Sequence, residues 1–247
     1  MRGTGKKAIL VGGGPVHTGL LRTALMAGYD LLLAVDGGGK LLVDLGYQPQ
    51  LLLGDFDSLP RSYEKDLRAK GVQVLGYQVE KDWTDLELAF GQLIAQDYRE
   101  ALVFGALGGR LDHTLANIAL LYRMKQAGMD LVLIGDEQAV TLLTGQEKLR
   151  IIPFPHGHFS LLPYPMTARG VSISGAKYTL DKATLELGTT RGIHNEFLRK
   201  PVAIGLDSGS LLIIVEGLRH CPEGTALFQR LPRGEKQETA VSPRNSN

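Results

Sequence analysis

Two clusters of acidic residues carry the clearest chemical signal in this chain. The first holds Asp55 and Asp57 in the segment GDFDS, and the second holds Asp82 and Asp85 in the segment KDWTD. Two like charges about 4 Å apart repel by roughly 4 kcal/mol at an effective dielectric near 20, so carboxylates that meet need a proton, a base or a cation. Mg²⁺ prefers oxygen ligands and is usually shared between carboxylates and substrate phosphates. The clusters therefore indicate metal-dependent phosphate chemistry.

Each acidic cluster also has a purely structural interpretation. Gly-Asp and Asp-Ser are common in surface turns, which would account for Asp55 and Asp57 without any ligand. Asp82 is a candidate helix N-cap, and Asp85 would then be favoured by the positive end of the following helix. We expect one of Asp82 and Asp85 to reach metal or substrate and the other to act mainly as a cap.

The elements that must position these residues can be read from the apolar runs in the first half of the chain. The runs alternate with helix-like stretches, a pattern that predicts βαβ units and a parallel sheet buried on both faces. Because ligands of open α/β sheets bind beyond the carboxyl ends of the strands, the polar residues after these runs should form one site. The runs are Ala8–Val11, Leu31–Val35, Leu51–Leu53, Val72–Leu75, Ala101–Phe104 and Leu131–Ile134.

The helical period disappears after about Gly145, and short apolar runs broken by Pro and Gly follow. Such runs are typical of antiparallel β structure. The sequence thus predicts an α/β fold with an N-terminal Rossmann-like parallel sheet and flanking helices, followed by a C-terminal antiparallel β-sandwich. We place the α/β domain at residues 1–145, the β-sandwich at residues 146–231, and a disordered tail at residues 232–247.

Composition narrows the class of protein. The chain has 27 Lys and Arg against 26 Asp and Glu, a net charge of +1, so we expect neither a nucleic-acid partner nor a membrane surface as partner. Cys221 is the only cysteine, which fits a reducing compartment and predicts a cytoplasmic protein. The apolar run Ala8–Val11 stops at Gly12, too early for a signal peptide.

A glycine-rich segment, GALGGRLDH at residues 105–113, joins a predicted strand to a predicted helix. Glycines let a backbone approach phosphates, a helix N-terminus attracts anions, and Arg110 adds a planar donor suited to phosphate oxygens. His113 and Asn117 lie on one side of the helix and are candidates to line a pocket. We expect the opposite side to be an apolar stripe facing the core. That stripe comprises Leu111, Leu115, Ile118 and Tyr122.

Other phosphate and nucleophile motifs are weak or missing. The segment Gly12–Gly14 follows a strand, but His17 stands where a dinucleotide motif has its third glycine. No Walker P-loop and no G-x-S-x-G elbow is present. In the second half, Tyr178 could stack on a ring and His194 with Asn195 could bond to a heterocycle's edge, although turns and sandwich edges are the more ordinary roles for such residues.

Five short motifs, taken in their order along the chain, resemble the thiamine pyrophosphokinase family. Each is weak alone, but together they span residues 8–216 and divide correctly between the two predicted halves. The resemblance implies transfer of the pyrophosphoryl group of ATP to the hydroxyl of thiamine, which gives thiamine diphosphate and AMP. It also implies Mg²⁺, and a homodimer with sites between the α/β domain of one subunit and the β-sandwich of the other. The motifs are D36-G-G, G54-D-F-D-S, D82-x-T-D, G108-G-R-x-D-H and G192-x-x-N-E.

The resemblance also implies residue roles. Asp55, Asp57 and Asp85 would hold Mg²⁺, and Asp82 would lie nearby toward the substrate. Asp82, Tyr178, His194 and Asn195 would contact thiamine, although family members commonly have Ser where this chain has His194. The residues implied for catalysis are Asp55, Asp57, Asp82, Asp85 and Arg110. Those implied for ATP are Asp36, Gly37, Gly38, Thr84, Gly108, Gly109, Arg110, Asp112, His113 and Asn117.

Two other functions remain open from the sequence. One is a pyrophosphokinase for a different heterocyclic alcohol, such as a pterin, which would keep the acidic clusters and change the β half. The other is a regulatory module that binds a nucleotide or thiamine without turnover. The acidic clusters argue against the second alternative, because binding an anion gains nothing from four carboxylates.

Overall fold

The computed structural model describes residues 6–54, 61–77, 82–222 and 226–231. Strands and helices alternate in the first half, and each predicted apolar run coincides with a strand to within one residue at either end. The elements are β1 (Lys7–Val11), α1 (Thr18–Met26), β2 (Leu31–Val35), α2 (Gly38–Asp44), β3 (Leu51–Gly54), α3 (Arg61–Ala69), β4 (Gln73–Gly76), α4 (Asp85–Ala95), β5 (Glu100–Phe104), α5 (Leu111–Gln126) and β6 (Asp130–Ile134).

The second half is built from strands. Apart from one 3₁₀ turn at Leu218–His220, the described part of the chain after α5 contains no helix. The elements are β7 (Gln138–Thr144), β8 (Lys148–Ile151), β9 (His158–Pro163), β10 (Ala168–Ser174), β11 (Leu180–Leu185), β12 (Asn195–Glu196), β13 (Val202–Gly205), β14 (Ser210–Glu216) and β15 (Phe228–Leu231).

One large sheet contains ten strands in the order β12-β9-β14-β7-β6-β5-β1-β2-β3-β4. The six strands from β6 to β4 are parallel to their neighbours, as the βαβ pattern predicts. β7 turns back antiparallel to β6, and β14, β9 and β12 continue in antiparallel fashion. The predicted Rossmann-like parallel sheet with flanking helices is confirmed, and strands of the second half extend it.

Both faces of the parallel strands are buried, which is why their sequences are continuous apolar runs. Ile9 and Val11 belong to a core cluster that includes side chains of α1, α2 and α3, whereas Ala8 and Leu10 belong to a second cluster with α4 and α5. A fully buried leucine contributes about 1.5–3 kcal/mol to the free energy of unfolding. Among the described helices, none has the length and apolar character needed to cross a membrane.

A second sheet of five antiparallel strands, in the order β11-β10-β13-β8-β15, covers the antiparallel part of the large sheet. Phe159 and Ile213 of the large sheet share one core cluster with Val171 and Ile204 of the small sheet. Phe159 also stacks on Phe197, with ring centroids 5.5 Å apart. The antiparallel layering predicted for the second half is confirmed.

The apolar stripe predicted for α5 is wrong in its first two turns. Leu111 and Leu115 are exposed, 72% and 57% of their surface respectively, and Ile118 is only partly buried. In those turns the polar side chains face inward instead, because Thr114 Oγ1 donates to Gly108 O and Asn117 Nδ2 donates to Ala106 O. The buried residues of α5 are Leu120, Leu121 and Met124.

The predicted domain boundary between residues 145 and 146 falls in the turn between β7 and β8. Hydrogen bonds cross it, since β14 of the second half pairs with β7 of the first half over seven residues. The division into domains 1–145 and 146–231 therefore stays a prediction, laid over one continuous sheet. The predicted tail, residues 232–247, lies outside the described residues.

A buried ionic network fastens β15 to the first half of the chain. Lys125 on α5 pairs with Asp130 and with Glu147, the latter at 2.8 Å. Arg230 on β15 pairs with Asp130 at 3.0 Å and with Glu147 at 3.4 Å, and it donates to Leu142 O. The side chains of Lys125, Glu147 and Arg230 are each only about a tenth exposed. Charges with so little access to water must be paired to be tolerated.

The network predicts an acid-dependent loss of stability at Glu147. Burial raises the pKa of this carboxyl, but hydrogen bonds from Lys125 and the Thr144 N–H, with the charges of Lys125 and Arg230, outweigh burial and lower the pKa below the ordinary 4.5. A pKa that is lower in the folded state stabilises the fold above pH 4.5 and ceases to do so as the pH falls through the lower value.

We expect Glu147→Gln to reduce the free energy of unfolding by about 2 kcal/mol at pH 7, because hydrogen bonds to a charged group are lost. Urea unfolding should show this difference shrinking as the pH falls below 4.5 and through the lower folded-state pKa, where the wild-type carboxyl becomes protonated as well. The exposed Glu186→Gln variant is the control and should match wild type throughout. A difference that stays constant with pH would contradict the assignment.

Candidate active site

A cavity of about 500 Å³ opens at the carboxyl ends of β1, β2 and β5. This is the position where ligands bind in open α/β sheets, beyond the carboxyl ends of the parallel strands. Its walls come from the turns after these strands and from the first turns of α4 and α5. The lining residues are Gly12, Gly13, Gly14, Pro15, Val35, Asp36, Thr84, Asp85, Leu86, Gly105, Ala106, Gly108, Gly109, Arg110, His113 and Asn117.

Most residues predicted for ATP meet in this cavity. They are Asp36, Thr84, Gly108, Gly109, Arg110, His113 and Asn117, joined by the predicted metal ligand Asp85. Gly37, Gly38 and Asp112 adjoin the cavity in sequence without lining it, and Asp82 is exposed outside it. Asp55 and Asp57, predicted as metal ligands, lie outside the described residues.

The turn at Gly12–Pro15 is part of the site although its sequence pattern is not that of a dinucleotide motif. Gly14 N donates to Gly105 O at 3.0 Å, and Gly12 N donates to Phe104 O at 2.8 Å. A Cβ on Gly14 would lie 2.6 Å from Gly105 O, so only glycine allows the two turns to come together. The one signal for this turn in the sequence is its position directly after a strand.

Gly38 is required where α2 begins against the end of β1. A Cβ at this position would lie 1.9 Å from Val11 O and 3.0 Å from Gly12 O, contacts that no side chain can make. At the neighbouring Gly37, by contrast, a Cβ would meet Gly13 Cα at an ordinary 3.5 Å. Gly38 therefore acts on the cavity through backbone packing.

Asp36 directly follows β2 and has a backbone φ of +46°, in the left-handed region that Asp tolerates better than most residues. Its N–H donates to Leu53 O at 3.0 Å, and its carbonyl accepts from Gly39 N. A Cβ on Gly54 would lie 1.8 Å from Asp36 Oδ1, so Gly54 leaves room for this carboxylate. The bond to β3 thus fixes Asp36 at the cavity.

The start of α4 corrects the expected division of roles between Asp82 and Asp85. Thr84, not Asp82, is the N-cap, and its Oγ1 accepts from the Glu87 N–H at 3.3 Å. Thr84 prevails because its extended backbone immediately precedes the helix, whereas Asp82 lies two residues too early. Asp85 is the first helical residue and lines the cavity, so its carboxylate lies near the positive end of the helix.

Arg110 and Asp112 form a bidentate ion pair at the start of α5. Arg110 Nε donates to Asp112 Oδ1 at 3.1 Å, and Arg110 Nη2 donates to Asp112 Oδ2. The guanidinium lowers the pKa of the Asp112 carboxyl to about 2, helped by the His113 N–H, and the same pair raises the pKa of Arg110. Both groups are therefore charged at neutral pH, and Asp112 determines where the exposed guanidinium lies.

A second, smaller cavity of about 210 Å³ contains residues predicted for thiamine. It is lined by Tyr178 and Asn195, as predicted, together with Ile173, Leu180, Arg191, Gly192 and Ile193. No residue of the described chain lines both this cavity and the one at the strand ends.

His194 does not line the second cavity. Its backbone φ is +55°, its N–H donates to Ser160 Oγ at 3.0 Å, and its ring packs against His158 with centroids 4.4 Å apart. The large imidazole therefore turns toward β9 rather than into the cavity. The sequence alone gave no indication of this direction.

The donor set of the larger cavity suits a hard divalent cation. Asp36 and Asp85 both line it, and carboxylate oxygens are the ligands that Mg²⁺ prefers. Within the described ranges, no three His, Cys, Asp or Glu side chains converge as a metal site. The turn glycines and Arg110 add amide and guanidinium donors, so the cavity can hold a polyphosphate together with a cation.

Comparison with known proteins identifies the relatives of this chain. The family model "Thiamin pyrophosphokinase, catalytic domain" matches residues 23–133, and the model "Thiamin pyrophosphokinase, vitamin B1 binding domain" matches residues 148–211. Together they cover well over half of the chain. A thiamine pyrophosphokinase of Bacillus subtilis is 29% identical over 205 residues, which are 83% of this chain and 96% of the relative.

Solved structures agree with these matches. A crystal structure of thiamine pyrophosphokinase from Bacillus subtilis superposes with a TM-score of 0.75 at 26% identity and covers 86% of this chain and 99% of its own. The thiamin pyrophosphokinase of Geobacillus thermodenitrificans superposes with a TM-score of 0.74 at 28% identity and covers 87% of this chain and 100% of its own.

The contrast between the two neighbouring glycines gives a test of the cavity wall. We expect Gly38→Ala to lower the free energy of unfolding by about 1–3 kcal/mol, because the methyl group overlaps the end of β1. Gly37→Ala, where the methyl meets only an ordinary contact, should change it by less than about 1 kcal/mol. Thermal unfolding of both variants measures the difference, and equal stabilities would contradict the close packing at Gly38.

Proposed function

The chain belongs to the thiamine pyrophosphokinase family, and from this membership we infer that it is an ATP-dependent diphosphotransferase that converts thiamine to thiamine diphosphate with release of AMP. The observation that carries this inference is the match of both family models in order. The catalytic model covers α4, β5 and all of α5, which wall the larger cavity, and the vitamin B1 model covers the part with Tyr178 and Asn195.

We propose that ATP occupies the larger cavity. The backbone amides of Gly13, Gly108 and Gly109 can be approached by phosphate oxygens because these glycines carry no side chains, whereas the Gly12 and Gly14 amides hold their turn to Phe104 and Gly105. Arg110 supplies a positive charge to the phosphates, and Asp112 keeps that charge in place. Gly38 contributes by letting α2 start close to β1, and Gly37 precedes it as the N-cap residue of α2.

We propose Mg²⁺ as the cofactor, held by Asp55, Asp57 and Asp85. Support comes from Asp85, which lines the cavity, and from the position of Asp55 and Asp57 in sequence directly after β3, the neighbour of the strand β2 that Asp36 follows. When bound, the ion neutralises charge on the phosphate oxygens that would otherwise oppose attack by an alcohol.

The residues of the chain position the reactants rather than react covalently with them. The hydroxyl oxygen of thiamine forms a bond to the β-phosphorus of ATP, while the bond from that phosphorus to the oxygen bridging the α-phosphate breaks and AMP leaves. Asp82 or Asp85 accepts the proton of the hydroxyl. Arg110 stabilises the charge that develops on the phosphates.

On the acceptor side, we propose that thiamine binds at the smaller cavity. The Tyr178 ring is 57% exposed and free to stack on a planar ring. Asn195 and Asp82 are the other residues assigned to the acceptor. His194 contributes indirectly, through its place beside Asn195, because its own ring packs on His158.

We propose a homodimer in which the larger cavity of one subunit meets the smaller cavity of the other. Exposed apolar side chains next to both cavities support it. Leu111, Leu115 and Trp83 adjoin residues of the larger cavity, and Ile193 lines the smaller one. Grouped exposed apolar residues of this kind commonly mark protein–protein contacts.

The proposed location is the cytoplasm, with ATP and thiamine as the small-molecule partners. Cys221, the one cysteine of the sequence, is buried. A sequence with a single cysteine cannot form an intramolecular disulfide, which suits a reducing compartment.

Incubation with Mg-ATP and thiamine, with AMP and thiamine diphosphate resolved by chromatography, tests the activity. We expect Asp85→Asn and Asp55→Asn each to lower kcat by about 100-fold or more, because charge at the phosphates is left uncompensated. Asp97→Asn is a matched control, since Asp97 is exposed, lies at the far end of α4 and has a left-handed backbone that Asn adopts readily. The absence of both products from wild type would reject the function, and normal turnover by Asp85→Asn would reject the metal assignment.

The homodimer makes a separate prediction. We expect Leu115→Glu to convert the dimer to monomer in sedimentation analysis at micromolar concentration, because a charge would replace an apolar contact. Met26→Glu changes a still more exposed apolar residue on α1, on the other face of the sheet, and should leave the dimer intact. A monomeric wild type would overturn the proposed assembly.

A further inference from the structure

Asn195 is among the few buried polar residues in the described chain, with only 3% of its surface exposed. Its carboxamide makes three hydrogen bonds, all to backbone groups. Oδ1 accepts from the Tyr178 N–H at 3.0 Å and from the Glu196 N–H at 3.0 Å, and Nδ2 donates to Tyr178 O at 2.7 Å. One side chain thus satisfies both backbone groups of Tyr178.

Tyr178 depends on this support because it lies in the connection between β10 and β11, outside either strand. The residues just before it are fastened to the chain after Asn195 as well. Lys177 N donates to Glu196 O at 3.1 Å, and Ala176 forms an isolated bridge with Phe197. The Asn195 side chain extends this attachment by one residue, to the tyrosine that forms a wall of the smaller cavity.

An exposed ion pair beside the tyrosine is a weaker support. Lys177 Nζ lies 2.6 Å from Glu196 Oε1 and 5.4 Å from the centre of the Tyr178 ring. Both charged side chains are nearly half exposed, and surface pairs of this kind contribute little to stability. A buried amide with three hydrogen bonds fixes geometry far better, since breaking it leaves backbone groups unpaired.

We propose that Asn195 is a positioning residue for the acceptor: it holds the backbone of Tyr178 so that the aromatic ring forms a fixed wall for a planar cationic heterocycle. This proposal rests on the proposed function and changes the role expected of Asn195 from a direct contact to an indirect one. Aromatic faces attract cations and stack on planar rings, so a correctly held Tyr178 suits the charged ring of thiamine.

A double-mutant cycle on Asn195→Ala and Tyr178→Ala tests the proposal. Each single variant should raise the KM for thiamine about tenfold, the effect of losing one aromatic contact, while kcat and the KM for ATP stay within about twofold of wild type. The double variant should be no worse than the weaker-binding single variant, because both changes remove the same wall. Effects that multiply in the double variant would show that Asn195 contacts thiamine independently and would overturn the proposal.

Two further variants make the outcome decisive. Lys177→Met removes the exposed ion pair and leaves the amide bonds in place, so its KM for thiamine should stay within about twofold of wild type. A tenfold rise there would transfer the positioning role from Asn195 to Lys177. If Asn195→Ala does not fold, the cycle is run with Asn195→Asp, which keeps the oxygen acceptor and loses the donor to Tyr178 O. A double variant no worse than the weaker-binding single variant would again support the proposal, and effects that multiply would again overturn it.

Wild-type turnover separates this proposal from the proposed function. If wild type releases no AMP with thiamine, the function is wrong, whatever the variants do. If wild type is active and the cycle is multiplicative, the function stands and only the role of Asn195 is wrong. Calorimetric titration of thiamine into wild type and Tyr178→Ala provides a binding readout that does not depend on turnover.

Discussion

Burial of the parallel strands on both faces is the constraint on which the rest of the structure depends. β1, β2 and β5 present apolar side chains to α1, α2 and α3 on one side and to α4 and α5 on the other. A strand enclosed in this way has little room for polar side chains along its length. Polar groups are therefore concentrated in the turns, and because the strands are parallel, the turns at their carboxyl ends face one cavity. The location of the site follows from the core.

Close backbone packing determines which groups line the cavity. Gly14 against Gly105, and Gly38 against Val11, exclude side chains from the places where the turns meet. Amide groups are thereby left near the cavity, and the charges come from a few side chains that rigid elements hold in place. Asp36 is tied to β3, Asp85 begins α4, and Arg110 is held by Asp112, whose pKa of about 2 keeps it ionised at neutral pH.

Sequence patterns predicted the strands well, because a run such as Leu31–Val35 has no alternative to burial on both faces. They failed where two local roles compete. The first turns of α5 have apolar residues at helical spacing, yet Thr114 and Asn117 take the inner side because the carbonyls of the preceding turn need donors. Thr84, rather than Asp82, is the N-cap of α4 because the helix begins two residues later than the sequence suggested. Sequence patterns do not locate a helix start to within one or two residues. The inward direction of Asn195 depends on hydrogen bonds to the Tyr178 backbone, seventeen residues away in the sequence, which no local pattern records.

β7 pairs with β6 along one edge and with β14 along its other edge. The two halves of the chain therefore share one continuous β-sheet and are not separated by a linker. Many transferases of two lobes close by bending at a hinge. Here such bending would break the ladder that joins β7 and β14 along seven residue pairs. Rearrangement at the larger cavity is thus left to the turns at the strand ends, because the strands behind them are held in one continuous sheet.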